Sequence, residues 1–264
     1  LNYRERVTEH LTALQGAVFR VVESQEEIAT TRLVDNIQEQ MRLEELLEGS
    51  KPALPPKTEK LHYLLSTPFR YPPLKYGSRF GRSFEPSLFY GAMSVDTALA
   101  ETAYYRFVFL SHLETPFPRP LTTLHTLFSV RIRTAKGIRL QEEAWRDLHE
   151  VLTDPVSYRE SQALGTDMRR AGVEAFQFLS ARARQAGLYQ LPFEVCQGVE
   201  GINAALFSPR PFSDKQPRSR QRLIVVSGQE TVSMSLAGED GHKRGVDFHR
   251  HVFLVDGNFP QPAF

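Results

Sequence analysis

At 264 residues, with 41% hydrophobic and 24% charged content, the chain has the make-up of a soluble globular protein able to bury a sizeable core in one large domain or two small ones. Its 32 Lys+Arg stand against 31 Asp+Glu, and this near balance supplies no general attraction for DNA or RNA, so no direct nucleic-acid binding is expected. One cysteine, Cys196, excludes a disulfide framework and a Cys-based zinc finger and reads as core filling.

No apolar run approaches the roughly 18 residues of a membrane span, and Leu1–Glu5 is not a secretion signal, so a cytoplasmic location is expected. The missing initiator methionine points to a few residues ahead of Leu1. Residues 3–15 are polar with Val7, Leu11 and Leu14 at helical spacing, and 17–22 (AVFRVV) reads as a strand. Ser24 with Glu27 forms a capping-box signature for a helix ending near Gly49, followed by a Pro- and Lys-rich linker over 50–60. Pro68, Pro72 and Pro73 predict an extended path into Gly77, which puts Arg79 on a loop or at a strand start.

Residues 88–92 form a short β-like run, and 94–97 start a helix that carries Glu101 in its second turn, on a face set either by Leu99 or by Ala98 and Thr102. A strand over 126–133 places Phe128, Val130 and Ile132 on one face. Two helices over 142–152 and 157–171 stop at Gly172, and strands follow at 173–179 and 202–207. After a basic, proline-rich loop, three more strands are expected at 222–226, 230–236 and 248–255, with a polar turn over 238–245. Interspersed strands and helices without strict βαβ alternation give an α+β class.

The stretch from Gly77 to Arg106 spaces Arg79, Tyr90 and Glu101 eleven residues apart. An arginine offers a planar fork for phosphate, a tyrosine a face for a flat ring, and a glutamate a charge that stabilises a cation. A nucleotide with a positively charged ring, such as NAD, needs all three. Each residue alone also has an ordinary reading: Arg79 as a surface side chain, Tyr90 as sheet core, Glu101 as an exposed helix charge. His249 and His251 flank Arg250 and would share one side of a strand, but two histidines without a third ligand make a poor metal site, and no metal is expected. Neither a Gly-x-Gly-x-x-Gly turn, a P-loop nor a Gly-x-Ser-x-Gly elbow occurs.

Five pieces in order, 77–80 (GSRF), 88–92 (LFYGA), 97–101 (TALAE), 172–182 (GVEAFQFLSAR) and 201–207 (GINAALF), resemble the RES family, named for its recurring Arg, Glu and Ser. The resemblance implies an ADP-ribosyltransferase-like split sheet with flanking helices and NAD in its cleft. It divides the chain into an N-terminal helical segment (1–16), an NAD-binding catalytic domain (17–208) and a C-terminal β extension (209–264) packed on the same domain.

It further implies catalytic roles for Glu101, Arg79, Tyr90 and Ser180, with Asn203 and Arg182 as further NAD contacts. Ser208 is a rival for the family serine. Arg79 would hold the pyrophosphate, Tyr90 would stack on nicotinamide or clamp its ribose, and Ser180 would hydrogen-bond the ribose or the nicotinamide amide. Such proteins are toxins of bacterial toxin–antitoxin pairs that cleave the nicotinamide–ribose bond, with water or inorganic phosphate as acceptor. The expected partner is an Xre-like helix-turn-helix antitoxin, and the expected assembly is a homodimer or a toxin–antitoxin hetero-oligomer. A mono-ADP-ribosyltransferase that modifies a protein and a non-catalytic nucleotide-binding module are the alternatives.

Overall fold

Alternating burial along the strands builds one mixed sheet, described here from a computed structural model over residues 3–24, 36–56, 58–115, 117–194, 198–237 and 243–260. Cys196 and the predicted helix start at Glu27 lie outside these residues. The strands are β1 (Thr12–Glu23), β2 (Phe89–Ala92), β3 (Leu121–Arg139), β4 (Ala175–Leu179), β5 (Ile202–Leu206), β6 (Ser219–Ser227), β7 (Thr231–Ala237) and β8 (Lys243–His249). Among the described residues they form an eight-stranded sheet in the order β1-β2-β5-β4-β3-β6-β7-β8, and β1 also pairs with β3.

That extra pairing closes the first five strands into a ring. The long β3 makes this possible: one edge pairs with β1, while its other edge pairs with β6 at 121–129 and, parallel, with β4 at 137–139. The C-terminal strands β6 to β8 continue the same sheet outward from β3. Helices α1 (Arg4–Glu9), α2 (Ile37–Ser50), α3 (Tyr63–Arg70), α4 (Val95–Ser111), α5 (His149–Leu152), α6 (Arg159–Arg170) and α7 (Ala181–Gln185) flank it, confirming the α+β class.

Apolar residues of β1, β3, β4 and β5, including Leu14, Val130, Leu179 and Leu206, form one core cluster with α3. A second, built on Phe80, Trp145, Phe176 and Phe178, packs α6 against the sheet. Phe80 meets Phe176 and Phe178 edge-on at 4.9 and 4.7 Å, contacts that add about 0.5–1.5 kcal/mol each to the burial of the rings. A third cluster joins Leu99, Ala103 and Phe107 of α4 to Leu223, Val225 and Met234 of β6 and β7.

Several elements differ from the sequence reading. Leu11 and Leu14 do not continue a helix, because α1 ends at Glu9 and Leu14 enters the sheet opposite Thr134. The Ser24 hydroxyl meets Thr126 Oγ1 at 2.7 Å beside the end of β1, and α2 is capped by Asn36, whose side chain accepts from Gln38 and Glu39. Pro68 lies inside α3, which ends at Arg70, so the extended path begins only after it. The final strand is displaced: Gly245 belongs to β8, which stops at His249, and Arg250–Phe253 is a 3₁₀ turn. His249 and His251 therefore do not share a strand face; their rings stack at 5.8 Å.

Two glycines hold the 77–81 loop. Gly77 has φ +73°, and a Cβ there would stand 2.2 Å from Gly81 O. Gly165 brings α6 onto the loop, where a Cβ would stand 2.1 Å from Phe80 O. Gly165→Ala is expected to push the helix off the loop and lower the unfolding free energy by about 1–3 kcal/mol. Urea unfolding checks this, and an unchanged midpoint would mean that the loop yields freely.

Candidate functional site

β1 and β2 are paired at a single position, Phe19 opposite Ala92, and beyond it they part. A cavity of about 660 Å³ opens where they separate, roofed by α4 and lined by β1 residues 19–23, the 76–79 loop, Tyr90, Tyr158 and Asn203. Its size is in the range of small-ligand sites. Ser94 caps α4 by accepting from Thr97 N at 3.2 Å, and Thr97 Oγ1 accepts from Gly201 N at 2.9 Å, so the helix start is tied to the entrance of β5. Ala98, Glu101, Thr102, Tyr105 and Phe109 then form one stripe along the cleft, while Leu99 faces the core. The face left open by the sequence is thus the one set by Ala98 and Thr102.

Glu101 Oε1 accepts from Ser180 Oγ at 2.6 Å and from Asn203 Nδ2 at 2.7 Å. Oε2 has no hydrogen bond among the described residues. Ser180 is fully buried and also caps α7, its hydroxyl accepting from Ala183 N at 2.9 Å. The Ser180 hydroxyl is thereby shared between the Glu101 carboxylate and the start of α7. Ser180, not Ser208, stands beside Glu101. Asn203 sits opposite Phe178 in the β4–β5 ladder, and its Oδ1 is buried without a partner.

Tyr90 presents its ring to the cleft, and its hydroxyl contacts Ser78 Oγ at 2.9 Å and accepts from Phe80 N at 3.1 Å. Burial pushes its pKa up to about 12, so the phenol stays neutral. Arg79 Nη1 donates to the carbonyls of Leu152 and Asp154 at 3.0 and 2.8 Å, and its guanidinium lies 4.4 Å from the Tyr158 ring centre. Arg182 donates to Gln185 and to Pro155 O, and stacks 3.6 Å from the Tyr104 ring centre. Both cations are held by carbonyls, an amide and aromatic faces, and among the described residues neither forms an ion pair with a carboxylate.

Three cleft residues escaped the sequence reading. Arg20 of β1 reaches across the gap where the strands part, donating from Nη1 to Tyr90 O at 3.0 Å. Burial lowers its pKa to about 10, which leaves it cationic at neutral pH. Its signal was a charge inside an otherwise apolar strand, AVFRVV. Arg106 and His125, at the far end of the cleft, gave no signal beyond residue type. Among the described residues, no group of three or more His, Cys, Asp or Glu is placed to hold a metal ion, and no helix is long and apolar enough to cross a membrane.

A family model described as "RES domain" matches residues 55–225, well over half of the chain. Among solved structures, the chain is similar to one titled as the M. tuberculosis MbcT–MbcA toxin–antitoxin complex, at 10% identity and a TM-score of 0.48, covering 83% of this chain and 90% of that one. No curated protein matches.

His125 yields a pH prediction. Burial first, and the Arg106 charge second, push its pKa down to about 4. The same imidazole in the unfolded chain titrates near ~6.5, so between roughly pH 6.5 and 4 the unfolded state binds a proton that the native state refuses. Stability is thus expected to fall as pH drops through this window, and the downward shifts of His149 and His62 act in the same sense. Urea midpoints at pH 7 and pH 5 should differ, and His125→Asn should shrink the difference. An undiminished difference in that variant would assign the effect to other groups.

Proposed function

We propose that this chain, which belongs to the RES domain family, cleaves the bond between nicotinamide and ribose in NAD and acts as the toxin of a bacterial toxin–antitoxin pair. The observation that carries the reading is the fixed carboxylate of Glu101, with Oε1 held by two donors and Oε2 left free in a cleft framed by unneutralised arginines. As the C–N bond breaks, nicotinamide leaves with the bonding pair and positive charge grows on the ribose C1′ and ring oxygen. A carboxylate beside that charge stabilises it, as in glycoside hydrolysis. An acceptor oxygen, from water or orthophosphate, then forms the new bond to C1′ and releases its proton.

Arg20 and Arg79 would hold the pyrophosphate through charge-assisted hydrogen bonds, and the Tyr90 ring would pack against nicotinamide or its ribose. The unpaired Oδ1 of Asn203 beside Glu101 would accept from the nicotinamide amide, which offers two N–H donors. Arg182, stacked on Tyr104, would line the same cleft. Ser180 would be a positioning residue, acting through Glu101. The partner we expect is an Xre-like helix-turn-helix antitoxin that would cover the cleft.

Proton NMR of NAD with the purified chain tests the reading directly. Nicotinamide release is expected, faster or dependent on orthophosphate if phosphate is the acceptor. Glu101→Gln should reduce release by about 100-fold or more while leaving NAD affinity within about twofold. Equal loss of binding and turnover would remove Glu101 from the chemistry. Ser180→Ala should lower kcat by about tenfold with little change in KM, because it loosens the carboxylate and not the substrate contacts. A KM effect alone would place Ser180 in substrate binding instead.

A further inference from the structure

The cleft continues past Glu101 along α4 to Arg106, about 7–8 Å further along the helix axis. Here the Arg106 side chain reaches over the sheet, where Nε donates to Ser227 Oγ at 3.0 Å. Nη1 stands 3.9 Å from Glu23 Oε2, outside hydrogen-bond distance, and the Glu23 side chain is 66% exposed at the mouth. Nη2 is enclosed and without a partner. Thr123 and His125, two residues apart on β3 and so on one sheet face, contribute Oγ1 and Nδ1, which are likewise enclosed and unpaired. Arg106 is 9% exposed and His125 3%.

We propose that Arg106, Thr123 and His125 form a phosphate-binding subsite, separate from the Glu101 centre, for a phosphate group carried on a nucleotide or for free orthophosphate. Each of the three has a hydrogen to give: a guanidinium N–H, a hydroxyl and an imidazole N–H in the Nδ1–H tautomer. A metal cation is repelled by the guanidinium, and an apolar ligand would leave all three groups unpaired. A phosphate oxygen satisfies each of them and is drawn by the charge. Burial, and secondarily the Arg106 charge, keep His125 neutral, so it serves as a donor without titrating at physiological pH. The subsite stands on its own geometry and does not require NAD as the substrate.

The test uses the full chain carrying Glu101→Gln, so that no turnover interferes, and follows the His125 imidazole signals by two-bond ¹H–¹⁵N NMR during titration with orthophosphate. A saturable displacement is expected, absent with sodium chloride at equal ionic strength. Arg106→Gln should weaken the binding by at least about tenfold, and Thr123→Val, which deletes one donor at little structural cost, by about two- to tenfold. If Arg106→Gln fails to fold, Thr123→Val carries the comparison. No saturable displacement, or one undiminished by these substitutions, overturns the proposal.

NADP and NAD are then compared on the same protein. Tighter binding of NADP by about tenfold, reversed by orthophosphate, would identify a nucleotide phosphate as the occupant. Equal dinucleotide affinities beside an intact phosphate response would identify the free ion. Failure of both dinucleotides to bind, with the phosphate response intact, would sink the NAD reading and leave the subsite standing.

Discussion

The arrangement of the cleft depends on one constraint: a carboxylate on a helix is held by two donors that arrive from distant parts of the chain. Ser180 and Asn203 lie 79 and 102 residues from Glu101, and both bond the same oxygen. That geometry requires the β4–β5 ladder to be in register, since Asn203 is opposite Phe178 and Ser180 follows directly on β4. It also requires α4 to start at the right height, which the Ser94 cap and the Thr97–Gly201 hydrogen bond set. A one-residue slip of β5 would turn Asn203 to the opposite face and send Ile202 or Ala204 to its place beside Glu101.

The second constraint is the opening of the ring between β1 and β2. Ladder pairing there stops after Phe19, yet the backbone polar groups beyond it cannot be left wholly bare. Arg20 answers part of this by bonding Tyr90 O, and so places a cation at the mouth of the gap. Arg79 and Arg182 are secured in a similar way, by carbonyls and ring faces in place of acidic partners. Carboxylate partners would have neutralised these guanidiniums. Carbonyl and π contacts fix their positions while leaving the charge available to an anion.

Much of this was legible in the sequence where the signal is local. The Ser94 cap, the strand at Phe128 to Ile132, the stop at Gly172 and the Arg–Tyr–Glu spacing all follow from short-range chemistry, and each residue singled out for the cleft lies in or against it. What was not legible depends on pairing between distant segments. Leu14 fits a helical period and a strand period equally, and β3 across the sheet decides between them. Pro68 reads as a helix breaker, but α3 ends two residues later, so only its last turn is affected. The hydrogen bond from Ser180 to Glu101 was not legible, because a partner 79 residues away in the chain cannot be inferred from the neighbours of Ser180 in sequence.

The distribution of unsatisfied groups follows from the same economy of contacts. Among the described residues, Arg106, Thr123, His125 and Asn203 each carry a buried side-chain polar atom that lacks a partner, and all four line the cleft. Each such atom is worth about 1–3 kcal/mol of forgone stability, so a scaffold selected for folding alone would have paired or replaced them. Other buried polar groups are paired within the protein, as where Thr166 donates to Glu85 and Tyr189 donates to the Ser180 carbonyl. Four such residues around one cavity leave the native state short of hydrogen bonds where a ligand would supply them. A bound ligand should therefore stabilise this fold by more than its contact area alone would suggest.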